Sequence, residues 1–505
     1  MLQSSFSIFA KQETSYNLPK ASIQQRIDMV FSSVLFLFYF LPAFFIAYYV
    51  AGKKFKNIVI LIGSIAFYSW GAPRFIFVIL GTTLLDFYIV RWMSSSETRT
   101  QKRLLLTISV MVNLGLLFYF KYSNFFIENV NRVLFHAFHL QGIQWTKLVL
   151  PLGISFYTFE TITYVVDVYR GVHKPLTRFW DYQLYIILFP KLIAGPIIRY
   201  HEIADQISDR SANDTIDNRL IGFYRFILGL SKKVLIANQM AVVADAVFGS
   251  DYNQLDTYTA WVGILAYTFQ IYFDFSGYSD MAIGLGKMMG FKFPENFNNP
   301  YISQSITEFW RRWHITLGNW MKNYLYIPLG GNRVKSKWRL YFNLWFVFLA
   351  SGLWHGASWS FVFWGAYHGF FLVIEKGFML NVYARLGKLL STLITFFIAA
   401  VGWVFFRAEK LGDAFVYINR MFHVNTSPQS VQVLSTEFYS FFVLAIVFAF
   451  FAYFKQGQRI QDAVYFGEYN NKKHTFFVIT SVVLLMFSVS FIASNGFNPF
   501  IYFRF

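Results

Sequence analysis

Two histidines have surroundings that suggest chemistry: His355 lies in a long apolar stretch, and His314 lies in the charged, aromatic run EFWRRWHITLGNW at 308–320. His355 lies within the apolar stretch 340–374, directly between Trp354 and Gly356. A titratable side chain at membrane depth is costly, so it usually faces a protein interior or a wet cavity and marks a functional site. A neutral imidazole is also a suitable general base near neutral pH. The two histidines therefore predict a buried site at which protons are moved.

A structural role is the alternative for each histidine. Around His355, the small residues Ser351, Gly352 and Ala357 leave room either for a ligand or for a neighbouring backbone that the ring would hydrogen-bond. For His314, the sequence favours a structural hydrogen-bonding role and a functional role equally. His368 follows His355 by 13 residues, and we expect it to be mainly structural.

Arg311 and Arg312 directly precede Trp313 and His314. Guanidinium groups match phosphate geometry, so the pair is a candidate site for an anionic donor such as a pyrophosphate-bearing coenzyme. The alternative is that both arginines only anchor the segment to anionic lipid.

The spacing of Ser305 and Glu308 is that of a capping box, which predicts a helix that begins near residue 305. Glu308 precedes Arg312 by four residues, which predicts an ion pair on one helical face. We expect this helix to continue through His314 and to break near Pro328.

Asp274 and Asp280 lie in a glycine-rich, aromatic segment at 272–301. They are six residues apart, so an ideal helix does not place them on one face, which argues against a paired-carboxylate site. The favoured interpretation is that each caps or pins a broken helix. The second is that they line a substrate passage.

The composition indicates a polytopic membrane protein. Hydrophobic residues make up 56% of the 505 and charged residues only 14%, against about 25% charged residues in a typical soluble domain. The net charge is +18, and the basic residues fall mostly between apolar runs. That distribution favours positive-inside topology and contact with anionic lipid over nucleic-acid binding. The absence of cysteine excludes disulfides, thiolate metal sites and a cysteine acyl-enzyme.

Apolar runs predict an all-α polytopic membrane protein with about ten to twelve spans. Residues 1–28 are polar and are expected to form a disordered tail, followed by one transmembrane domain at 29–505. Residues 125–140 are expected to form an interfacial helix, and residues 180–198, which contain Pro190 and Pro196, a re-entrant segment. The predicted spans are 30–50, 58–70, 75–90, 104–120, 148–168, 220–247, 258–290, 340–374, 389–405, 438–454 and 476–493.

Several ordered motifs resemble the membrane-bound O-acyltransferase (MBOAT) family, most closely its alginate-acetylating branch and more distantly its D-alanyl-transferring branch. The motifs are FPKLIAGPIIRY at 189–200, YFDFSGYSDMAIGLG at 272–286, FWRRWHITL at 309–317, YLYIPLGGNR at 324–333, GLWHGASW at 352–359 and PFIYFRF at 499–505. The resemblance implies an MBOAT-type helical bundle around a central tunnel. It also implies that His355 is the catalytic histidine and that His314 is the second histidine of the site.

The resemblance further implies acyl transfer from a cytoplasmic thioester, with acetyl-CoA as the expected donor substrate and no bound cofactor or metal. The expected location is the inner (cytoplasmic) membrane. The expected partners are an extracytoplasmic SGNH-hydrolase-like acetyltransferase and the machinery that exports an exopolysaccharide such as alginate. Trp354, Arg311, Arg312, Asp274 and Asp280 are the candidate substrate-binding residues.

Three alternatives remain open at this point. Broken helices and intramembrane histidines also suit a transporter. A non-catalytic scaffold for polymer export is a second alternative. Within the enzyme interpretation, the third is transfer of D-alanine or another acyl group to a cell-envelope polymer.

Overall fold

The structure is a computed structural model that describes residues 29–423, 435–495 and 499–501. The predicted tail at 1–28 and the last four residues of the 499–505 motif lie outside this part. In the described ranges the regular structure is entirely helical. The α-helices are α1 Leu41–Val50, α2 Lys56–Gly71, α3 Ile76–Ser95, α4 Arg99–Leu117, α5 Ser123–Phe138, α6 Ile154–Tyr169, α7 Phe179–Ile187, α8 Phe189–Leu192, α9 Tyr200–Ser208, α10 Ile216–Ser231, α11 Asn238–Phe248, α12 Thr257–Met288, α13 Ile306–Arg312, α14 Ile315–Trp320, α15 Lys337–His355, α16 Trp359–Ile374, α17 Leu380–Arg407, α18 Leu411–Phe422, α19 Thr436–Phe450, α20 Lys455–Tyr465 and α21 Asn471–Asn495.

Short π-helical turns interrupt or join several of these helices. They cover Phe36–Phe40, Phe118–Tyr122, Lys232–Ala237, Met321–Tyr326 and Glu375–Met379. Single 3₁₀ turns lie at Lys53–Phe55, Ser211–Asn213, Tyr252–Gln254, Pro300–Ile302 and Phe451–Tyr453. α4 and α5 join through the π-helical turn Phe118–Tyr122. Residues 125–140, expected to form a separate interfacial helix, therefore mostly extend the helix Arg99–Phe138.

Six helical stretches in the described residues are long and apolar enough to cross a membrane. They are Ile76–Ser95, Arg99–Phe138, Ile216–Phe248, Trp359–Arg407, Thr436–Tyr453 and Asn471–Ser494. The predicted count of ten to twelve spans is not confirmed. One reason is that the predicted spans 58–70 and 148–168 lie in helices of only 16 residues, α2 and α6. The apolar run 180–198, predicted as a re-entrant segment, folds as the short helices α7 and α8 and an irregular tail, nearly all of it buried within the protein.

The centre of the bundle is the pairing of α10 with α12. A side chain at Gly277 would place its Cβ 2.7 Å from the carbonyl oxygen of Gly229, and one at Gly229 would lie 2.5 Å from that of Gly277. The two backbones therefore approach as closely as only glycine allows. This approach also brings the charged side chains of both helices together inside the protein.

Asp274 and Asp280 lie in α12, which is one continuous helix of 32 residues. The expectation that they cap a broken helix is therefore wrong. Asp280 forms ion pairs with Arg225 and Lys232 across the α10–α12 interface. Asp274 pairs with Lys233 and accepts a hydrogen bond from the backbone N–H of Ile501. The two carboxylates pin neighbouring elements to α12, because a buried charge needs a partner.

One end of the bundle, here called the basic face, is joined by polar contacts among helix ends. Tyr324 donates to Asp167, which also pairs with His201, and Asn57 donates to the carbonyl of Ile207. The cations of this face include Lys53, Lys54, Arg99, Arg103, Arg333 and Lys335. The connection at 139–153 lies at the opposite face, since the 16 residues of α6 separate it from Tyr169, which hydrogen-bonds Arg103.

Candidate active site

His314 lies at a break between two short helices. The predicted helix start is confirmed, because Ser305 accepts a hydrogen bond from the N–H of Glu308 at the start of α13. The Glu308 carboxylate accepts from the N–H of Gln304. The predicted ion pair is also confirmed, with 2.8 Å between Arg312 and Glu308. The helix ends at Arg312, however, and His314 has a left-handed backbone with φ of 45°. The prediction that the helix runs through His314 is therefore wrong.

This backbone conformation is costly for a residue with a Cβ and is found preferentially at functional sites. It is stabilised by Asn296, whose carbonyl receives the N–H of Ile315. The side-chain oxygen of Asn296 receives the hydroxyl and the N–H of Thr316. One asparagine thus holds the first turn of α14 in place.

The same oxygen of Asn296 lies 3.1 Å from Nδ1 of His314. Because the Thr316 N–H and the contact of Asn296 Nδ2 with Ser279 identify this atom as the oxygen, Nδ1 of His314 must donate. The neutral ring then carries its lone pair on Nε2. That atom is buried and has no hydrogen-bond partner among the described residues.

His355 is the last residue of α15, and a short turn then leads into α16. The apolar stretch 340–374 is thus a hairpin of two helices. A Cβ on Gly352 would lie 2.3 Å from the carbonyl oxygen of Phe361, and one on Gly365 2.4 Å from that of Phe348. These glycines let the backbones of α15 and α16 come into contact about one turn before His355. This contact fixes the position of the His355 ring relative to α16.

The ring of His355 is 6.4 Å from the ring of His314, measured between centroids. Aromatic rings of Trp354, Trp364 and Phe406 surround it at 4.9, 5.1 and 5.2 Å. His355 is 7% exposed and His314 2%. The structure therefore brings together the two sequence-predicted histidines in a setting that largely excludes water.

A cavity of about 160 Å³, here called the His355 cavity, reaches the histidine. It has room for several water molecules or for a small reacting group. Its walls come from the π-helical turn between α4 and α5, the connection before α6, the start of α6 and the end of α15. Its lining residues are Lys121, Leu150, Pro151, Leu152, Gly153, Ile154, Ser155, Phe156, Ile193, Trp354 and His355.

Of the predicted substrate-binding residues, Trp354 lines the His355 cavity. Arg311 is exposed at the end of α13, whereas Arg312 donates to the carbonyl of Asn298 as well as pairing with Glu308. The ion-paired Asp274 and Asp280 are not among the cavity-lining residues.

His368 is buried and does not line the cavity either. It packs against Trp310 and Trp364, with ring centroids 4.9 and 5.1 Å away. In the described part of the chain, no three histidine or carboxylate side chains are grouped so as to hold a metal ion.

Lys121 and Asn296 were missed in the sequence. Lys121 directly follows the predicted span 104–120, so in the sequence it resembles the charged flank of a span. The continuous helix Arg99–Phe138 places it inside the protein. A cation inside a membrane span is itself a signal of function. Predicting a span that includes residue 121 would therefore identify Lys121 as a candidate. Asn296 gave no such signal, because its role depends on a contact made 18 residues away.

The model of the membrane-bound O-acyltransferase family matches residues 24–383. A probable alginate O-acetylase AlgI from Pseudomonas putida is 41% identical over 94% of this chain and 100% of its own length. Another from Pseudomonas aeruginosa is 46% identical over 79% of this chain and 76% of its own. A peptidoglycan O-acetyltransferase from Helicobacter pylori is 37% identical over 80% of this chain and 82% of its own.

Proposed function

The chain belongs to the membrane-bound O-acyltransferase family and is an O-acyltransferase, and on that premise we propose that it moves an acetyl group from a cytoplasmic thioester to a hydroxyl on the opposite side of the membrane. The proposed end product is an O-acetylated exopolysaccharide such as alginate. The observation that carries the proposal is the His355 cavity, which runs from the connection before α6 to His355. The ring of His314 lies 6.4 Å from that of His355. Family membership disfavours the transporter and scaffold alternatives.

In the proposed reaction, His355 is the general base. Its imidazole removes the proton of the acceptor hydroxyl while that oxygen forms a bond to the thioester carbonyl carbon. The tetrahedral intermediate collapses, the carbon–sulfur bond breaks, and the thiolate leaves with the proton from the imidazolium. The aromatic rings around His355 exclude water, which strengthens the electrostatics and protects the donor from hydrolysis.

The hydrogen bond to Asn296 suggests a role for His314. A neutral ring with its proton on Nδ1 presents an acceptor at Nε2, so it cannot donate to an oxyanion. We therefore assign His314 the task of accepting a hydrogen bond from the acceptor or from a bound water, and so of orienting the nucleophile. A backbone N–H remains the candidate for stabilising the oxyanion.

The distribution of charge supports the proposed direction. Lysine and arginine mark cytoplasmic loops, and they are concentrated on the basic face. The His355 cavity is bordered by residues 150–153 at the opposite face, where an extracytoplasmic acceptor would enter. The donor, for which acetyl-CoA is proposed, would approach from the basic face, and the exposed Arg311 is a candidate contact for its phosphates.

The immediate acceptor proposed here is a serine hydroxyl on an extracytoplasmic SGNH-hydrolase-like acetyltransferase, which passes the acetyl group to the polymer being exported. Two of the relatives reported above carry alginate O-acetylase in their names, which supports an anionic exopolysaccharide as the final acceptor. The inner membrane is the location consistent with a cytoplasmic donor.

The test is to delete the gene in its host and to complement it with wild-type protein, H355Q or H136Q. His136 is an exposed histidine of α5 and serves as the matched control. We expect H355Q to remove O-acetyl groups from the exported polymer, as read by mass spectrometry, and H136Q to leave them unchanged. Membrane levels of all three proteins are compared by immunoblot. Normal acetylation in H355Q at wild-type protein levels would contradict the proposal.

A further inference from the structure

Two consecutive side chains hold the last three carbonyl groups of the helix that carries His355. Lys121 donates to the carbonyl oxygen of Trp354 and, at 3.3 Å, to that of His355. Tyr122 donates from its hydroxyl to the carbonyl oxygen of Leu353 at 2.8 Å. These contacts join residues more than 230 positions apart in the chain.

Such carbonyls need partners. The last four C=O groups of an α-helix have no partner within the helix, and the helix dipole places partial negative charge there. α15 ends inside the protein, where water is scarce. An ammonium is well matched to this end because it supplies both N–H donors and positive charge. Lys121 thus acts as a C-terminal cap that comes from another helix.

The third contact of Lys121 ties this cap to the wall of the His355 cavity. Its Nζ lies 3.1 Å from the hydroxyl of Ser155, in the first turn of α6. An ammonium has three N–H donors, and Ser155, Trp354 and His355 together provide three acceptors. The amine therefore fixes the end of α15 relative to α6, which forms the opposite wall.

Lys121 and Tyr122 lie in an unusual stretch of backbone. They close the π-helical turn Phe118–Tyr122 between α4 and α5. π-helical turns are rare and are found frequently at functional sites. Here the turn lies opposite the catalytic histidine.

We propose that Lys121 and Tyr122 are positioning residues for acyl transfer: by capping Leu353, Trp354 and His355 they hold the imidazole at the depth and angle at which it meets the acceptor. The inference rests on the proposed function, in which His355 is the base. The pair acts through the backbone of His355 and takes no part in proton transfer. Losing either contact therefore lowers turnover without weakening the donor's binding.

The test uses purified full-length protein in liposomes, with acetyl-CoA as donor and glycerol as a small hydroxyl acceptor that does not react with the thioester unaided. We compare K121M, which keeps the side-chain length but removes the donors, with K121R, which restores N–H donors, and with Y122F. We expect kcat to fall about 10-fold to 100-fold in K121M, since misplacement by about 1 Å has that effect, with KM for acetyl-CoA unchanged. K121R is expected to recover part of the loss, and Y122F to show a smaller decrease.

K147M is the matched control, because Lys147 is exposed and lies at the same face in the connection after α5. Its kinetics should equal those of the wild type. Wild-type kcat in both K121M and Y122F would overturn the inference, as would a rise in KM at unchanged kcat. H355Q, assayed beside them, separates the two claims: if H355Q is fully active the proposed function fails, whereas wild-type rates in K121M and Y122F with an inactive H355Q sink only the positioning role.

Discussion

His314 and His355 differ in how the protein holds them. His355 ends a helix and lies beside a cavity, so its ring can meet a substrate. His314 sits in a left-handed turn and gives one nitrogen to Asn296. Two imidazoles of the same chemistry are thereby assigned different tasks, because the hydrogen bond at one nitrogen determines what the other can do.

The tautomer of His314 yields a prediction for Asn296. In N296A the Nδ1 proton loses its acceptor, so the ring is free to rotate and to carry its proton on Nε2. We expect kcat to fall by about 10-fold to 100-fold, a part of the ~10²–10⁴-fold that a positioned acid–base group contributes. Steady-state acetyl transfer in liposomes measures the change. N298A alters a nearby exposed asparagine and should be silent; equal activity of N296A and wild type would show that the tautomer is unimportant.

At the scale of elements, the site depends on helix ends and breaks. α13 and α14 break at His314, and α15 ends at His355 against α16. The cap from Lys121 and the glycine contact between α15 and α16 act on the same helix end. In the proposed reaction, the position of the His355 ring therefore depends on how closely these backbones approach each other.

The close approach of α15 and α16 can be tested at Gly352. In G352A the added methyl group would lie 2.3 Å from the Phe361 carbonyl oxygen, so the helices must separate. We expect the thermal unfolding midpoint in detergent to fall, at a cost of about 1–3 kcal/mol, together with acetyl-transfer activity. G115A is the control, since a methyl group there meets nothing within 4 Å. An unchanged midpoint and activity in G352A would mean that the contact does not position His355.

Local patterns in the sequence predicted local structure. Ser305, Glu308 and Arg312 formed the cap and ion pair that their spacing indicated, because these contacts span only three or four residues. The two histidines were recognised because imidazoles are rare in apolar segments.

What was missed or mistaken depends on contacts distant in the chain. Asp274 and Asp280 were expected to cap a broken helix, but cations on α10 and on the turn after it pair with them and leave α12 continuous. Lys121 could not be recognised from its neighbours in the chain, because the carbonyl groups of Trp354 and His355 to which it donates lie more than 230 residues away. Apolar runs alone did not give the number of spans either, because predicted spans such as 58–70 and 148–168 lie in helices of only 16 residues.

At the scale of the whole molecule, the basic face and the entrance of the His355 cavity lie on opposite sides. The basic face would meet the cytoplasm and its thioesters, and the His355 cavity would meet the acceptor. In the proposed orientation, the lysines and arginines of the basic face direct insertion, rather than the net charge of the whole chain.

The orientation can be measured directly because the wild-type chain contains no cysteine. A single cysteine is introduced as K147C at the cavity face or as K335C at the basic face. In intact cells a membrane-impermeant maleimide should label K147C, and it should label K335C only after permeabilisation, since both positions are exposed. The opposite labelling pattern would reverse the proposed direction of transfer.

The most direct test of the account supplies acetyl-CoA to only one face of the membrane. Inverted membrane vesicles expose the basic face, whereas right-side-out vesicles expose the face with the His355 cavity. With labelled acetyl-CoA outside and glycerol, which crosses the membrane, as the hydroxyl acceptor, we predict product in inverted vesicles that contain wild-type protein and none with H355Q. Right-side-out vesicles should form product only when permeabilised. Equal product from both orientations of sealed vesicles, or full activity of H355Q, would contradict transfer by His355 from a cytoplasmic thioester.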